Sequence, residues 1–174
     1  MQIFGLAGWS GSGKTTLLTG IIPELTARGL AVSTIKHAHH EFDIDRPGKD
    51  SWRHRQAGAR EVMVASSRRW ALMHELHESP EPSLDELVAR MTPVDLLLVE
   101  GFKHHRHSKI EVHRPSLGKE LLYLDDPWIV AVATDEPFAA RVPLLPLGDP
   151  AAVAAFIADH LGLTTHRDLA TWRS

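Results

Sequence analysis

Between Gly8 and Thr16 the chain reads Gly-Trp-Ser-Gly-Ser-Gly-Lys-Thr-Thr, a spacing of residue types suited to holding a row of phosphates. Gly8, Gly11 and Gly13 carry no Cβ, so the backbone there can curl until successive N–H groups point inward at phosphate oxygens. Lys14 then supplies a point charge beside the β- and γ-phosphates, and Thr15 a hydroxyl for Mg²⁺. Ser10, Ser12 and Thr16 belong to the same loop and are read as nucleotide-binding with it. Such a site also needs an acid at the end of a neighbouring strand to hold the metal. Asp95 and Glu100 flank the apolar run Leu96 to Val99. At a rise of roughly 3.3 Å per residue they stand about 16 Å apart, so only one reaches the metal. Ligands gather at the carboxyl ends of parallel strands, which selects Glu100 and leaves Asp95 at the start of the strand. Phe102 follows Glu100-Gly101 where Ras-like GTPases carry a water-orienting Gln, so slow or absent hydrolysis is expected.

Basic residues surround this motif in the sequence. Lys36 and His37 follow the end of a second apolar run and Lys103 follows Glu100. Together with Lys49, Arg53, Arg55 and Arg106 they can neutralise a second anionic ligand. Twelve histidines stand in the chain, with His37, His39 and His40 close to Asp43 and Asp45. That set offers imidazole and carboxylate ligands to a transition metal, as an alternative use of the same segment.

The elements that must position these groups are legible as alternating patterns. Ile3 to Ala7 is a short strand, and Lys14 to Arg28 has helical periodicity through Leu17, Leu18, Ile21, Ile22 and Leu25. A helix so placed aims its positive end at the phosphates. Gly29 stops it, Leu30 to Ile35 is a strand, and 37–48 is a long polar loop. A short helix at Lys49 to Ala57 precedes two runs, Glu61 to Ala65 and Trp70 to His74, spaced as an antiparallel hairpin or edge pair. Ser83 and Glu86 form a capping box for a helix reaching about Met91. Strands are expected at Leu96 to Glu100, Ile110 to His113, Ile129 to Ala133 and near Val142 to Leu145. A closing helix is expected at Pro150 to His160, with a frayed tail after Thr165. Continuous apolar strands alternating with helices predict an α/β fold of the P-loop NTPase type, a mostly parallel sheet flanked by helices with an additional hairpin portion. Residues 1–174 are read as one nucleotide-binding domain, with 37–50 and 101–127 as functional insertions.

Composition narrows the class. The chain has 174 residues, 43% hydrophobic and 24% charged, with a formal net charge of −3. An acidic balance argues against a general nucleic-acid binder. Cysteine is absent, which excludes disulfides and thiolate metal sites. Apolar stretches fall well short of the roughly 18 residues of a membrane span, and no basic region precedes an apolar one at the N-terminus. The protein is expected to be cytoplasmic.

Several separate segments resemble one family. Gly8 to Leu17, Ile35-Lys36-His37-Ala38-His39-His40, Asp43 to Ser51, Ala57-Gly58-Ala59, Ala65 to Met73 and Leu98 to Lys103 together resemble the molybdopterin-guanine dinucleotide biosynthesis adapter family, MobB. The resemblance spans residue 3 to about 135 and is weak beyond Asp135. It implies a GTP-binding homodimer with weak GTPase activity that assists MobA, the nucleotidyltransferase joining GMP to molybdopterin. It also implies that Ala131 to Asp135 lies at the base-binding end, with Asp135 a nucleotide-binding residue. Lys36, His37, Lys49, Asp50 and Lys103 are then expected to serve molybdopterin or the partner that holds it. No Asn-Lys-x-Asp guanine-reading motif occurs, so guanine preference rests on the resemblance. A metallochaperone-type GTPase and a small-molecule kinase are the alternative uses of the same loop.

Overall fold

An apolar residue at every position from Leu96 to Val99 leaves no polar face to show to water. In the structure, a computed structural model that describes residues 1–38, 42–103 and 105–163, the resulting strand β5 (Leu96–Glu100) is buried along its whole length. It lies between β1 (Gln2–Ala7) and β2 (Val32–Lys36), and the sheet continues through β6 (Lys109–His113), β7 (Ile129–Thr134) and β8 (Leu144–Pro146) in the order β2-β5-β1-β6-β7-β8. Every neighbouring pair is parallel, so all six carboxyl ends share one edge. Backbone packing groups the chain into two compact units, Met1–His37 with the chain from Thr92 onward, and Ala38–Met91. The parallel sheet belongs to the first.

Side chains alternate across a strand, so every second residue faces the same way. Phe4, Leu6, Leu96, Leu98, Ile110, Val112, Ala131 and Ala133 make one face of the sheet and bury against α1 (Lys14–Ala27) and α4 (Pro150–His160) through Leu17, Ile21, Leu25, Val153 and Ile157. The first helix ends one residue short of the expected Arg28. Gly29, at φ 86°, donates to the Thr26 carbonyl and Leu30 to that of Leu25. This left-handed close draws Leu30 into the helix cap, and β2 starts at Val32 instead. Asp149, which its sequence neighbours did not single out, caps α4 by accepting from the Ala152 N–H at 3.0 Å.

Gly20 of α1 lies against Pro150 at the start of α4. A Cβ there would sit 2.6 Å from Pro150 Cγ. Alanine gains roughly 1 kcal/mol of helix propensity over glycine, while overpacking costs about 1–3 kcal/mol. Gly20→Ala is therefore expected to lower the melting temperature although alanine is the better helix former; a rise would show that Pro150 yields freely.

Strand β6 departs from the apolar pattern. It begins one residue earlier than expected, with Lys109 fully buried, and Glu111 is fully buried as well. Partners compensate both charges. Lys109 Nζ donates to Asp126 at 2.8 Å, and the Glu111 carboxylate accepts the N–H groups of Leu122 and Tyr123, each at 2.9 Å. The segment after the strand, with single 3₁₀ turns at Pro115–Leu117 and Leu122–Leu124, is thus tied to the sheet by buried charge.

His107 is buried beside this pair, and its Nε2 has no hydrogen-bond partner among the described residues. Burial first, then the neighbouring Lys109 and His105, push its pKa down to about 4. A histidine held neutral in the fold but titrating near 6.5 when unfolded contributes stability that is full above pH 6.5 and lost as the pH falls towards 4. The loss amounts to about 3 kcal/mol over that window. Urea midpoints measured between pH 7 and 4 should fall less steeply in His107→Gln than in the parent.

The second unit contains α2 (Asp50–Gln56), the antiparallel pair β3 (Glu61–Ala65) and β4 (Trp70–His74), and α3 (Leu84–Val88). Its hairpin matches the expected boundaries residue for residue. Ser83 and Glu86 make the capping box in both directions. The helix it opens is shorter than expected, because Arg90 and Met91 bond three residues back and Pro93 follows. Arg55 organises this unit: it donates to Asp43 and Asp45, both at 2.7 Å, and to Glu75 at 3.0 Å. Hydrogen bonds to these carboxylates raise its pKa above the ordinary arginine value. Arg55 thus has structural partners, and Asp43 and Asp45 serve it as carboxylate acceptors.

Candidate functional site

The turn from β1 into α1 is built by three glycines with positive φ, 143° at Gly8, 80° at Gly11 and 99° at Gly13. At Gly8 the requirement is also one of space, since a Cβ would lie 2.5 Å from the Val112 carbonyl oxygen on β6. Gly13 caps α1 in the left-handed conformation, and the exposed Ser10 and Gly11 form the outer rim. Ser12 turns inward, 1% exposed, and its Oγ has no partner among the described residues. Lys14 Nζ donates to the carbonyls of Gly8 and Trp9 at 3.0 and 2.9 Å, lying across the loop. Desolvation lowers its pKa; Glu100 opposes this, and Lys103 and Lys36 add to it. Thr16, in the first turn of α1, is exposed.

Glu100 closes β5 next to this turn. Parallel pairing aligns it with Leu6 of β1 and Lys36 of β2. Its carboxylate accepts the Thr15 hydroxyl at 2.9 Å and lies 3.7 Å from Lys36 Nζ. A hydroxyl and a carboxylate in contact at the mouth of a phosphate-binding turn are hard oxygen donors of the kind Mg²⁺ takes. Buried, unpartnered Ser12 Oγ and the glycine cradle fit a triphosphate with its metal. At the other end of the same strand, Asp95 Oδ2 accepts the Ala31 N–H at 2.7 Å, a structural contact.

The remaining cations arrange themselves around this mouth. His37 donates its N–H to the Glu100 carbonyl, and its ring lies 4.8 Å from that of Phe102. Gly101 is required here, because a Cβ would lie 2.6 Å from that of His37. Lys103 Nζ stands 4.9 Å above the Trp9 ring and Lys119 Nζ 5.8 Å from it, while Trp9 Nε1 donates to the Glu120 carbonyl. Cation–π contacts of this kind link the phosphate-binding turn to two later loops. A cavity of about 300 Å³ next to Lys103 is lined by Ala7, Leu122, Asp125, Asp126 and Ile129. Its two carboxylates make it unsuited to an anion. Lys49 and Asp50, by contrast, belong to the second unit, where Lys49 precedes α2 and Asp50 opens it. Arg106 is exposed.

Residues 3–135 match the family described as MobB, molybdopterin guanine dinucleotide synthesis protein B. The chain belongs to the MobB family. It is 45% identical over 164 residues to the molybdopterin-guanine dinucleotide biosynthesis adapter protein of Escherichia coli (strain K12), covering 91% of this chain and 93% of that protein. A protein of the same name from Haemophilus influenzae is also 45% identical, with 92% and 90% covered. In three dimensions the chain is similar to a crystal structure of molybdopterin-guanine biosynthesis protein B, at TM-score 0.71 and 28% identity over 91% of this chain and 99% of that one. This MobB member carries the expected parallel sheet and a separate hairpin.

Two residues escaped the sequence reading of this MobB chain. Arg114 directly follows β6, and its Nε donates to the Ser12 carbonyl at 3.1 Å while Nη1 pairs with Asp135. Trp9, one of the unspecified positions of the glycine-rich motif, carries the lysine contacts. The strand-end rule that selected Lys36 and Lys103 applies equally to Arg114. The histidine–carboxylate alternative lies only partly within the structure: His39 and His40 are outside the described residues, and no cluster of three metal-ligating side chains occurs among the described ones.

Proposed function

We propose that this chain is a GTP-binding adapter of molybdopterin guanine dinucleotide biosynthesis, assisting MobA as it joins GMP to molybdopterin. The observation that carries this reading is the Thr15–Glu100 contact at the mouth of the glycine turn, with Lys14 lying across that turn. GTP binds there with Mg²⁺ held by Thr15 and Glu100. Gly8, Ser10, Gly11, Ser12, Gly13, Lys14 and Thr16 take the phosphates, and Asp135 lies towards the base. Lys36, His37 and Lys103 face a second anionic group, molybdopterin or its carrier. Lys49 and Asp50 serve the partner from the second unit. Hydrolysis is slow, because Phe102 packs on His37 where a water-orienting amide is needed. The chain works as a cytoplasmic homodimer. Support for the dimer comes from the hairpin, whose register puts Met63 opposite Leu72 with Trp70 on the same face, all three exposed.

Names of the relatives support the pathway, and the absence of a membrane-length apolar helix among the described residues agrees with the compartment. Titration calorimetry of the chain with GTP and Mg²⁺ should give saturable binding that weakens when the metal is chelated. Heat that is absent, or indifferent to the metal, would contradict the assignment.

A further inference from the structure

Trp9 touches cations on both its backbone and its ring. Its carbonyl accepts from Lys14 Nζ at 2.9 Å and from the Ser12 N–H at 3.2 Å, which makes the residue part of the glycine turn. Its Nε1 donates to the Glu120 carbonyl at 2.9 Å, 111 positions further along the chain. An indole bound at both ends is a fixed surface. Lys103 Nζ and Lys119 Nζ lie over that surface, 4.9 and 5.8 Å from the ring centre.

Neither lysine pairs with a carboxylate among the described residues. Lys103 borders the cavity that holds Asp125 and Asp126, and Asp126 already accepts from the buried Lys109. The Lys103 ammonium lies over Trp9 instead, the side chain whose π face attracts a cation most strongly. Two ammoniums sharing one ring repel each other, so an anion that meets both lowers the energy of the pair. A long side chain loses rotamer freedom when it takes hold of a ligand, and a lysine already resting on a ring loses less. Lys103 also contributes to lowering the Lys14 pKa. Its placement therefore decides whether its charge serves the triphosphate or a ligand beside it.

We propose that Trp9 is the positioning residue of the second anionic site, and that Lys119 belongs to that site beside Lys103. This rests on the reading of a second anion at Lys36, His37 and Lys103 given above, and it adds one binding residue and the group that holds it. Trp9 acts through the two lysines, and only the lysines meet the ligand. A phosphate monoester, close to doubly charged at neutral pH and rich in acceptor oxygens, suits two ammoniums that each bring three donors and no acceptor. Through Trp9 the glycine turn that binds the nucleotide also sets the geometry of the neighbouring site, so both ligands are held against one element.

Formation of the guanine-dinucleotide cofactor by MobA with GTP and Mg²⁺, followed as molybdopterin is varied with and without this chain, tests the proposal beside calorimetry with GTP. Lys119→Ala and Trp9→Leu are each expected to raise the molybdopterin concentration for half-maximal stimulation by roughly fivefold, with GTP affinity kept within about twofold. Trp9→Phe retains a ring and should recover part of the loss. In the Lys119→Ala background the effect of Trp9→Leu should shrink, because one of the two ammoniums on the ring is gone; a tryptophan with only a structural role would cost the same in both backgrounds. Thermal melting of each variant checks folding. Parent-like half-saturation in Lys119→Ala, an undiminished effect of Trp9→Leu in that background, or a GTP affinity that falls as far as the molybdopterin response overturns the proposal. A parent chain that gives no stimulation at any molybdopterin concentration overturns the adapter reading itself, and the proposal with it.

Discussion

Lys14→Ala is expected to weaken triphosphate binding by about 3–5 kcal/mol, a hundredfold to several thousandfold, with the fold preserved. Among the described residues its ammonium lies across the turn and bonds the carbonyls of Gly8 and Trp9, at the open mouth rather than in the apolar core. Burial and the nearby cations Lys103 and Lys36 already disfavour its charge, with Glu100 opposing them. A charge held against desolvation is of most use to an anionic ligand. Two charge-assisted bonds to phosphate oxygens, each worth about 1.5–3 kcal/mol, give the expected size of the loss. Calorimetry of the variant beside a melting curve separates binding from stability; parent-like affinity would remove the loop from the binding site.

A second large effect is expected from Glu100→Gln, which should abolish most of the Mg²⁺ dependence of nucleotide binding. Asp95→Asn should leave that dependence intact. Glu100 touches the Thr15 hydroxyl and stands near Lys36, whereas Asp95 accepts the Ala31 N–H at the far end of the strand, about 16 Å away by strand rise. Asparagine retains an acceptor for that N–H, so the second change is expected to cost only about 1 kcal/mol of stability. Affinity measured across a magnesium series in both variants decides the matter, and equal responses would show that β5 does not carry the metal ligand.

Much of this geometry was legible in the sequence because it rests on local rules. The unbroken apolar run Leu96 to Val99 announced a strand covered on both faces, and its polar ends could be ranked by strand direction alone. The hairpin at Glu61 to His74 and the helix at Pro150 to His160 were read with the boundaries they have, since turn residues and periodicity mark their limits. Other features depend on partners remote in sequence. Lys109 and Glu111 look like surface residues until Asp126 and the N–H groups of Leu122 and Tyr123 are seen to meet them. Arg114 shares no motif with Ser12 or Asp135, and 102 positions separate it from the serine. Arg55 offered itself as an anion ligand because its three acidic partners are scattered over the segment from Asp43 to Glu75. Boundaries slipped where a cap intervened, as at Leu30, whose N–H closes the preceding helix.

The adapter role is tested most directly by reconstituting guanine-dinucleotide cofactor formation from purified MobA, molybdopterin, GTP and Mg²⁺, with and without this chain. Parent protein should accelerate product formation. Lys14→Ala should not, and Lys36→Ala combined with Lys103→Ala should lose the stimulation while keeping GTP affinity within about tenfold, or 1.4 kcal/mol. Unaltered rates on adding the parent, or stimulation by Lys14→Ala equal to that of the parent, would contradict a GTP-binding adapter working through this loop.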